Sequence, residues 1–269
     1  MCFVLLLTKC FFLHSCRQVF VFVQETLALV SKAVPETGMK LYLEISLTAD
    51  SLASAEGDTE ILAEFAPIAY ELLSQAFAIY EEAITDSKAQ QRCIKQIVGT
   101  LLASRSLSKD DYESLITKTA QFSAKVVKKP DQCELVSLCA HLFYPTMTPL
   151  SSKYSNPQRA LECLQRSLKL ADACTSANAS NVQLFVDLLE QYVFFFEKKN
   201  PLITHNYVTG LVALIREHLN NLESHGIDPR VVADARGQFS EVIRHIKRKK
   251  TDEATSELFS PIQVDVGSS

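Results

Sequence analysis

Apolar residues recur at helical spacing through most of the chain, and short polar corners interrupt them. The segment 65–90 shows this unit most clearly. Its first part places apolar side chains three and four residues apart, which predicts an amphipathic helix. Thr85, Asp86 and Ser87 then offer oxygens that can accept hydrogen bonds from the first amides of the next helix. The segment therefore predicts a helix, a tight corner and a second helix.

The same unit recurs along the chain. Predicted helices begin near residues 17, 36, 58, 86, 108, 130, 156, 179, 204 and 228. Two helices thus recur roughly every 45 residues, a period that is typical of α-solenoids. We therefore predict an all-α fold, a HEAT-like α-solenoid of about ten antiparallel helices.

Local signals support several of these helix starts. Ser108 followed by Asp111 resembles a capping box in which Asp replaces the usual Glu. Asn156 and Pro157 are suited to the N-cap and first position of a helix, directly after a predicted loop at 145–155. Gly57 is the predicted stop of the second helix.

The composition supports one long helical stack. The chain has 269 residues, of which 47% are hydrophobic, but only 7 Gly, 9 Pro and no Trp. Such a composition supplies a core and leaves little scope for hairpins. We predict that residues 17–249 form the solenoid and that 250–269, which lack a hydrophobic pattern, form a flexible tail.

Residues 1–16 are predicted separately as an unassigned apolar start. No cationic residue precedes the apolar run and Lys9 interrupts it, so the pattern of a signal peptide is poor. Lys9, Arg17 and Glu25 also prevent an apolar stretch of about 18 residues, the length that a membrane span needs. We expect a cytosolic chain in which this segment is either a native, buried start or a truncation or gene-model artefact.

The charge argues against a nucleic-acid partner. The formal net charge is −4, whereas nucleic-acid binding rests on clustered cations that meet phosphates. The basic run 243–250 is the exception, and it has two interpretations. It can be a helix C-terminus whose cations complement the helix dipole, or a contact with an anionic membrane surface.

The sequence contains no pattern that indicates catalysis or a cofactor. Phosphate-binding glycine loops, paired C-x-x-C and the common hydrolase motifs do not occur. The cysteines lie in helical patterns and are expected to be buried thiols. His141 is expected to be a core or interface histidine, and Cys139 points away from it on a helix, so we expect no metal site. The aromatic run 194–196 is expected to be core.

Two charged corners could serve an interface. The acidic corner is Glu81, Glu82 and Asp86, and the basic corner is Lys125, Lys128 and Lys129. Corners of alternate helices in a solenoid are expected on the same edge. Both can simply be solvated, since isolated surface ion pairs contribute only about 0–1 kcal/mol. Alternatively, acid meets base in a two-fold homodimer, because a symmetric interface presents each surface twice.

Several blocks of the sequence resemble the vacuolar protein sorting-associated protein 35 family, the large α-solenoid subunit of retromer. The resemblance lies in the order and spacing of blocks between Gln18 and Lys249. The blocks are AYELLSQAFAIYEEAITDSKAQ (69–90), KKPDQC (128–133), CAHLFY (139–144), ECL with LKLA (162–171), VQLFVDLLEQYVFFFEK (182–198) and NLES (221–224). Residues 1–16 match nothing in that family.

The resemblance implies a non-enzymatic scaffold of an endosomal cargo-sorting coat, cytoplasmic and peripheral on endosomal membranes. It implies that the carboxy-terminal solenoid wraps a metallophosphoesterase-fold subunit and covers that subunit's metal site. It also implies pairing of two solenoids near the acidic and basic corners. The hypothetical contacts with the metallophosphoesterase-fold subunit lie in the matching blocks, at Asp131, Gln132, His141, Phe143 and Tyr144.

The resemblance also limits which partners are expected. The family's amino-terminal part, which grips an arrestin-fold subunit, has no counterpart here, so we expect no binding of that subunit. Contact with the membrane is expected to be indirect. Another helical-repeat adaptor of a trafficking or nuclear-transport complex remains the alternative, since it would share period and composition but not the ordered blocks. A helical enzyme is disfavoured because no convergent polar pocket is evident.

Overall fold

The chain is described by a computed structural model that covers residues 2–54, 64–146, 154–222 and 227–264, with side chains from residue 15 onward except residue 16. This described part is helical throughout and contains no strand. The helices are α1 (Cys2–Ala33), α2 (Pro35–Ala53), α3 (Phe65–Ala83), α4 (Ser87–Ala103), α5 (Lys109–Lys125), α6 (Lys129–Phe143), α7 (Pro157–Ala177), α8 (Gln183–Glu197), α9 (His205–Leu222), α10 (Pro229–Thr251) and the short α11 (Ser256–Phe259). A 3₁₀ turn, Ala179–Val182, precedes α8.

The helices divide into two compact units. The first unit extends to Thr119 and the second begins at Ala120, so the boundary falls inside α5. In each unit, helices pack on a neighbour in sequence, as α2 does on α3 and α6 on α7, and on the helix after that, as α2 does on α4 and α6 on α8. Neighbours in a stack bury one another's apolar stripes, which is how helical repeats are stabilised. The prediction of an all-α solenoid of about ten main helices is therefore confirmed.

In the first unit, α2 lies between α1 and α3 and also contacts α4. The start of α2 meets the start of α4, where the Glu36 carboxylate pairs with Arg92 at 2.7 Å. The ends of the same helices meet at Asp50, which is 3% exposed. Its carboxylate accepts hydrogen bonds from the backbone N–H groups of Arg105 and Ser106. Start meets start and end meets end, so α2 and α4 run parallel and consecutive helices alternate in direction.

Helix α1 approaches α2 closely on one side. A Cβ atom added to Gly38 of α2 would lie 2.6 Å from the Cα of Ser31 on α1. Only glycine fits such an approach, because real Cβ contacts are never that short. On the same side of α1, Phe20 and Leu27 are buried. This side is therefore the inner face of α1.

In the second unit, the alternate helices α6, α8 and α10 lie side by side. The end of α8 meets the end of α10, where Glu197 pairs with Lys249 at 2.6 Å. Earlier turns of the two helices meet through Asp187 and Gln238. These three helices therefore run parallel, and α7 and α9 complete the second layer. The basic run 243–250 forms the last turns of α10, as the first interpretation expected.

The predicted helix starts are confirmed by their hydrogen bonds. Asp86 accepts from the backbone N–H of Ala89 at 2.8 Å, and Asn156 accepts from that of Arg159 at 3.1 Å. Ser108 accepts from the N–H of Asp111 and donates its hydroxyl to the Asp111 carboxylate. Gly57 and most of the 145–155 loop lie outside the described residues.

Both ends of the predicted solenoid need correction. Helix α1 begins at Cys2 and not near residue 17, so the backbone of the apolar start continues the first helix. The prediction of a flexible tail from residue 250 is wrong for 252–264. Phe259 and Ile262 are fully buried, and the Phe259 ring meets Phe196 edge-on. These apolar side chains are too few, in a segment that is otherwise largely polar, to form a helical stripe, which is why the sequence pattern missed them.

Candidate partner-binding surfaces

The parallel helices α6, α8 and α10 present one continuous face of the second unit. Two grooves run along it. The groove between α6 and α8 has a volume of about 230 Å³, and the groove between α8 and α10 about 370 Å³. We call this surface the α6–α8–α10 face. It contains two of the five residues that the sequence predicted for partner binding, His141 and Tyr144, together with several that the sequence did not predict.

His141, near the end of α6, is held in an aromatic cluster on this face. Its ring centroid lies 4.9 Å from that of Phe194 and 4.8 Å from that of Phe195. Its Nε2 lies 2.5 Å from Oε1 of Gln191, so the ring donates its N–H to this amide oxygen. Burial lowers the pKa of His141, and the bond to Gln191 opposes the shift only in part. His141 is therefore a neutral, partly exposed contact group at neutral pH.

Tyr144 and Phe143 follow at the end of α6. Tyr144 is half-buried, and its hydroxyl donates to the backbone carbonyl of Lys199 at 3.4 Å. This bond ties the end of α6 to the corner after α8. Phe143 is 1% exposed, and the Arg159 guanidinium stacks on its ring at 4.2 Å. Phe143 therefore supports the face from below and offers no surface of its own to a partner.

The other two predicted contact residues lie at the start of α6. Asp131 is half-exposed in the first turn. Gln132 is 4% exposed, and its amide donates to the carbonyl of Ala124 at the end of α5. Its oxygen accepts from Lys129 at 3.0 Å. Gln132 thus joins α5 to α6, and direct contact with a partner is wrong for this residue as it is for Phe143.

The groove between α8 and α10 contains residues that the sequence did not predict as a surface. Val193, Phe194 and Val242 form its apolar floor, and carboxylates lie along its rim. Phe194 is half-buried, while Phe195 and Phe196 are in the core. The expectation that all three phenylalanines are core is therefore wrong for Phe194. Its ring links the groove to His141.

Glu197 closes one end of this groove. Its carboxylate lies 2.6 Å from Nζ of Lys249 and 3.1 Å from Nε2 of His245. Burial acts to raise its pKa, but the hydrogen bonds from Lys249 and His245 outweigh burial and lower the pKa. Part of the positive charge of the basic run is therefore neutralised by α8.

The groove between α6 and α8 is polar on its α8 side. Burial raises the pKa of Asp187, although the amides of Gln183 and Gln238 donate to its carboxylate. Gln183, Asp187 and Gln191 recur every four residues and so share one face of α8. This polar stripe within an otherwise apolar helix is the sequence pattern from which an exposed face of α8 could have been predicted.

The two charged corners lie in different units. Glu81, Glu82 and Asp86 are exposed in the first unit, and Lys125, Lys128 and Lys129 are exposed in the second. Glu81 pairs with Lys118 at 2.8 Å, and Asp86 also caps α4. Beside the basic corner, Val127 is 82% exposed. The expectation that both corners share one edge stays a prediction.

The five cysteines whose side chains the structure describes are free thiols. Cys93, Cys133, Cys139 and Cys174 are buried, as expected, while Cys163 is only half-buried. Burial raises the pKa of Cys139 to about 11, so this thiol stays protonated. Cys139 contacts Ser123 and His141 contacts Gln191, so the two side chains point to different neighbours. In the described part of the chain, no three His, Cys, Asp or Glu side chains are placed to hold a metal ion.

Among the helices that the structure describes, none combines the length and the apolar character that crossing a bilayer requires. Within the basic run, Arg244 pairs with Glu241 of the same helix. These contacts agree with the interpretation of the run as a solvated helix end.

Comparison with known proteins identifies relatives across most of the chain. The family described as vacuolar protein sorting-associated protein 35 matches residues 10–218. Vacuolar protein sorting-associated protein 35B of Arabidopsis thaliana is 35% identical over 256 residues, which is 92% of this chain and 30% of that protein. Vacuolar protein sorting-associated protein 35 of Schizosaccharomyces pombe is 33% identical over 76% of this chain and 24% of its own length. This chain therefore spans less than a third of these relatives.

Proposed function

Because this chain belongs to the vacuolar protein sorting-associated protein 35 family, we propose that it acts as a non-enzymatic scaffold in retromer, the endosomal coat that sorts cargo proteins. It would be peripheral on endosomal membranes from the cytoplasmic side, with indirect membrane contact. The family match over residues 10–218 carries the proposal and disfavours a different helical-repeat adaptor. The stacked helices support it, since they offer long surfaces that suit protein partners.

The proposed partner is the metallophosphoesterase-fold subunit of retromer, and the proposed contact is the α6–α8–α10 face. This face combines an aromatic cluster, two grooves and a polar stripe, and interfaces are typically built from aromatic anchors with a polar rim. His141, Tyr144 and Phe194 are half-buried and would provide the anchors. Asp131 would contribute at the start of α6, while Gln132 and Phe143 would hold neighbouring residues in position.

A pull-down tests this proposal. The purified chain is offered separately to the metallophosphoesterase-fold subunit and to the arrestin-fold subunit, and only the first is expected to be retained. Phe194→Asp places a charge on the groove floor and should abolish retention, whereas Phe22→Asp, on an exposed side chain of the first unit, should not. Retention of the arrestin-fold subunit alone would refute the proposal.

We further propose that the acidic corner of one copy meets the basic corner of a second copy. All six side chains are exposed, and opposite charges on one chain can pair twice across a two-fold axis. Lys128→Glu combined with Lys129→Glu should lower the mass measured by light scattering. Adding Glu81→Lys and Glu82→Lys should restore it. An unchanged mass for the lysine variant of a dimeric protein would contradict the pairing.

A further inference from the structure

Asp187 and Glu190 of α8 form a pair of carboxylates whose hydrogen bonds come from neutral side chains. The amide Nε2 of Gln238 on α10 lies 3.1 Å from Oδ1 of Asp187 and 2.8 Å from Oε1 of Glu190, so it donates to both. The amide of Gln183 donates to the same Asp187 oxygen at 2.8 Å. Amides satisfy carboxylate oxygens without bringing a positive charge. Two negative charges are therefore held close together by one shared amide.

A third carboxylate approaches this pair from α6. Glu134, Asp187 and Glu190 all line the groove between α6 and α8. Burial raises the pKa of Asp187, and the negative charge of Glu134 raises it further. Like charges disfavour the ionised form of a carboxyl group, whereas a nearby cation favours it. A positively charged side chain of a partner would therefore be bound favourably at this place.

The groove between α8 and α10 adds an apolar surface directly beside these charges. Glu190 lines this groove as well, and Val193, Phe194 and Val242 form its floor. Its volume of about 370 Å³ accommodates a large apolar side chain. Glu190 and Phe194 are four residues apart and so lie on the same face of α8. A charged contact and an apolar contact are thus about one helical turn apart.

The other end of the same groove carries cations of the chain itself. Glu197 is paired with Lys249 at 2.6 Å, so its charge is neutralised. Nζ of Lys198 lies 5.7 Å from the centre of the Phe194 ring, on the same side as Glu197 in the sequence of α8. The groove is therefore electrostatically polar, and its uncompensated negative charge lies at the Glu190 end.

Building on the proposed function, we propose that the groove between α8 and α10 binds a segment of the metallophosphoesterase-fold subunit in which a basic side chain lies next to a large apolar one. The apolar side chain packs on Phe194, and the basic side chain pairs with Glu190 and Asp187. The reverse orientation would bring the basic side chain to Lys198 and Lys249, where like charges repel it. The charges thus determine the direction in which the segment lies.

Calorimetric titration of the purified chain with the purified subunit, at low and at high salt, tests this contact. Glu190→Gln keeps an acceptor for Gln238 but removes the charge, so it should weaken binding about tenfold at low salt. Salt screens exposed charge pairs, so this loss should shrink at high salt. Glu241→Gln is the matched control, because it removes the same charge from the same groove, where Arg244 already neutralises it. The control should change the affinity less than about twofold.

Charge reversal identifies the basic side chain of the subunit. Each exposed lysine or arginine of the subunit is changed to glutamate in turn, and each variant is titrated with the unmodified chain and with Glu190→Lys. One of these subunit variants should bind Glu190→Lys more tightly than it binds the unmodified chain, because the exchanged charges pair again. Circular dichroism verifies that every variant is folded.

The results separate this contact from the proposed function. If Phe194→Asp abolishes binding while Glu190→Gln and Glu241→Gln bind equally well, the partner is correct and the basic contact is overturned. A loss in Glu190→Gln that does not depend on salt also overturns it, since a purely structural effect would behave in this way. If the unmodified chain does not bind the subunit at either salt concentration, the proposed partner and the proposed contact both fail.

Discussion

Helices α1 and α8 resemble each other in sequence, because both carry apolar residues on more than one face, but the structure uses them differently. Eight of the fifteen residues of α8 are buried, among them Phe195 at 0% exposure. In α1, Phe22 and Leu29 are about two-thirds exposed, at 68% and 69%. An apolar stripe therefore predicts that a helix face packs against another helix. Whether that face is buried within this chain depends on how the helices stack.

Removing a buried aromatic from α8 should have the largest effect. Phe195→Ala deletes a fully buried ring that contacts both His141 and Tyr144. We expect a loss of about 3–5 kcal/mol in the free energy of unfolding, the usual cost of Phe→Ala in a core. Urea denaturation followed by circular dichroism measures it. A loss below about 1 kcal/mol would show that α8 is not the buried element described above.

Removing a buried polar contact of the first unit should have the next largest effect. Asp50→Ala removes the buried carboxylate that accepts hydrogen bonds from the N–H groups of Arg105 and Ser106. We expect a loss of about 2–3 kcal/mol, because several hydrogen bonds to one charged, buried group are lost together. Asp110→Ala, at an exposed position of α5, is the control. Equal effects of the two substitutions would argue against the contact.

The helix starts could be predicted because their signals are local. Asp86, Ser108 and Asn156 cap helices through atoms only three residues away in the chain. Asp50 could not be predicted, since its partners lie about 55 residues further on. The burial of Phe259 also depends on a distant ring, that of Phe196. Contacts between residues that are far apart in the chain therefore cannot be predicted from local sequence patterns.

The cluster around α8 should also respond to pH. Burial lowers the pKa of His141 below its ordinary value of 6.5. Because the unfolded chain then binds a proton more readily, this residue contributes stability above about pH 6.5 that is lost as the pH falls toward the folded pKa. His141→Phe should reduce the loss of stability between pH 7 and pH 5, measured by urea denaturation. If the free energy of unfolding depends on pH equally in both proteins, His141 lies in a more solvated environment than the structure shows.

The smallest effect is expected on the outer face of α1. Phe22→Ala should change the free energy of unfolding by less than about 0.5 kcal/mol, since exposed substitutions rarely do more. Urea denaturation followed by circular dichroism measures this change. A loss as large as that of Phe195→Ala would remove the contrast between the two helices.

The candidate site was only partly predictable. His141 and Tyr144 came from blocks that resemble the family, and both lie on the α6–α8–α10 face. Phe194 was assigned to the core because helical periodicity does not distinguish the ring that faces a groove from its buried neighbours Phe195 and Phe196. The packing of α10 beside α8 forms that groove, and no local pattern encodes it.

The affinity of the chain for the purified metallophosphoesterase-fold subunit tests the central claim most directly. Isothermal titration calorimetry should show one-to-one binding that Phe194→Asp weakens at least tenfold and Phe22→Asp leaves unchanged. We predict this difference because the first substitution lies on the α6–α8–α10 face and the second on an exposed side chain of α1. Absence of binding, or equal binding by both variants, would contradict it.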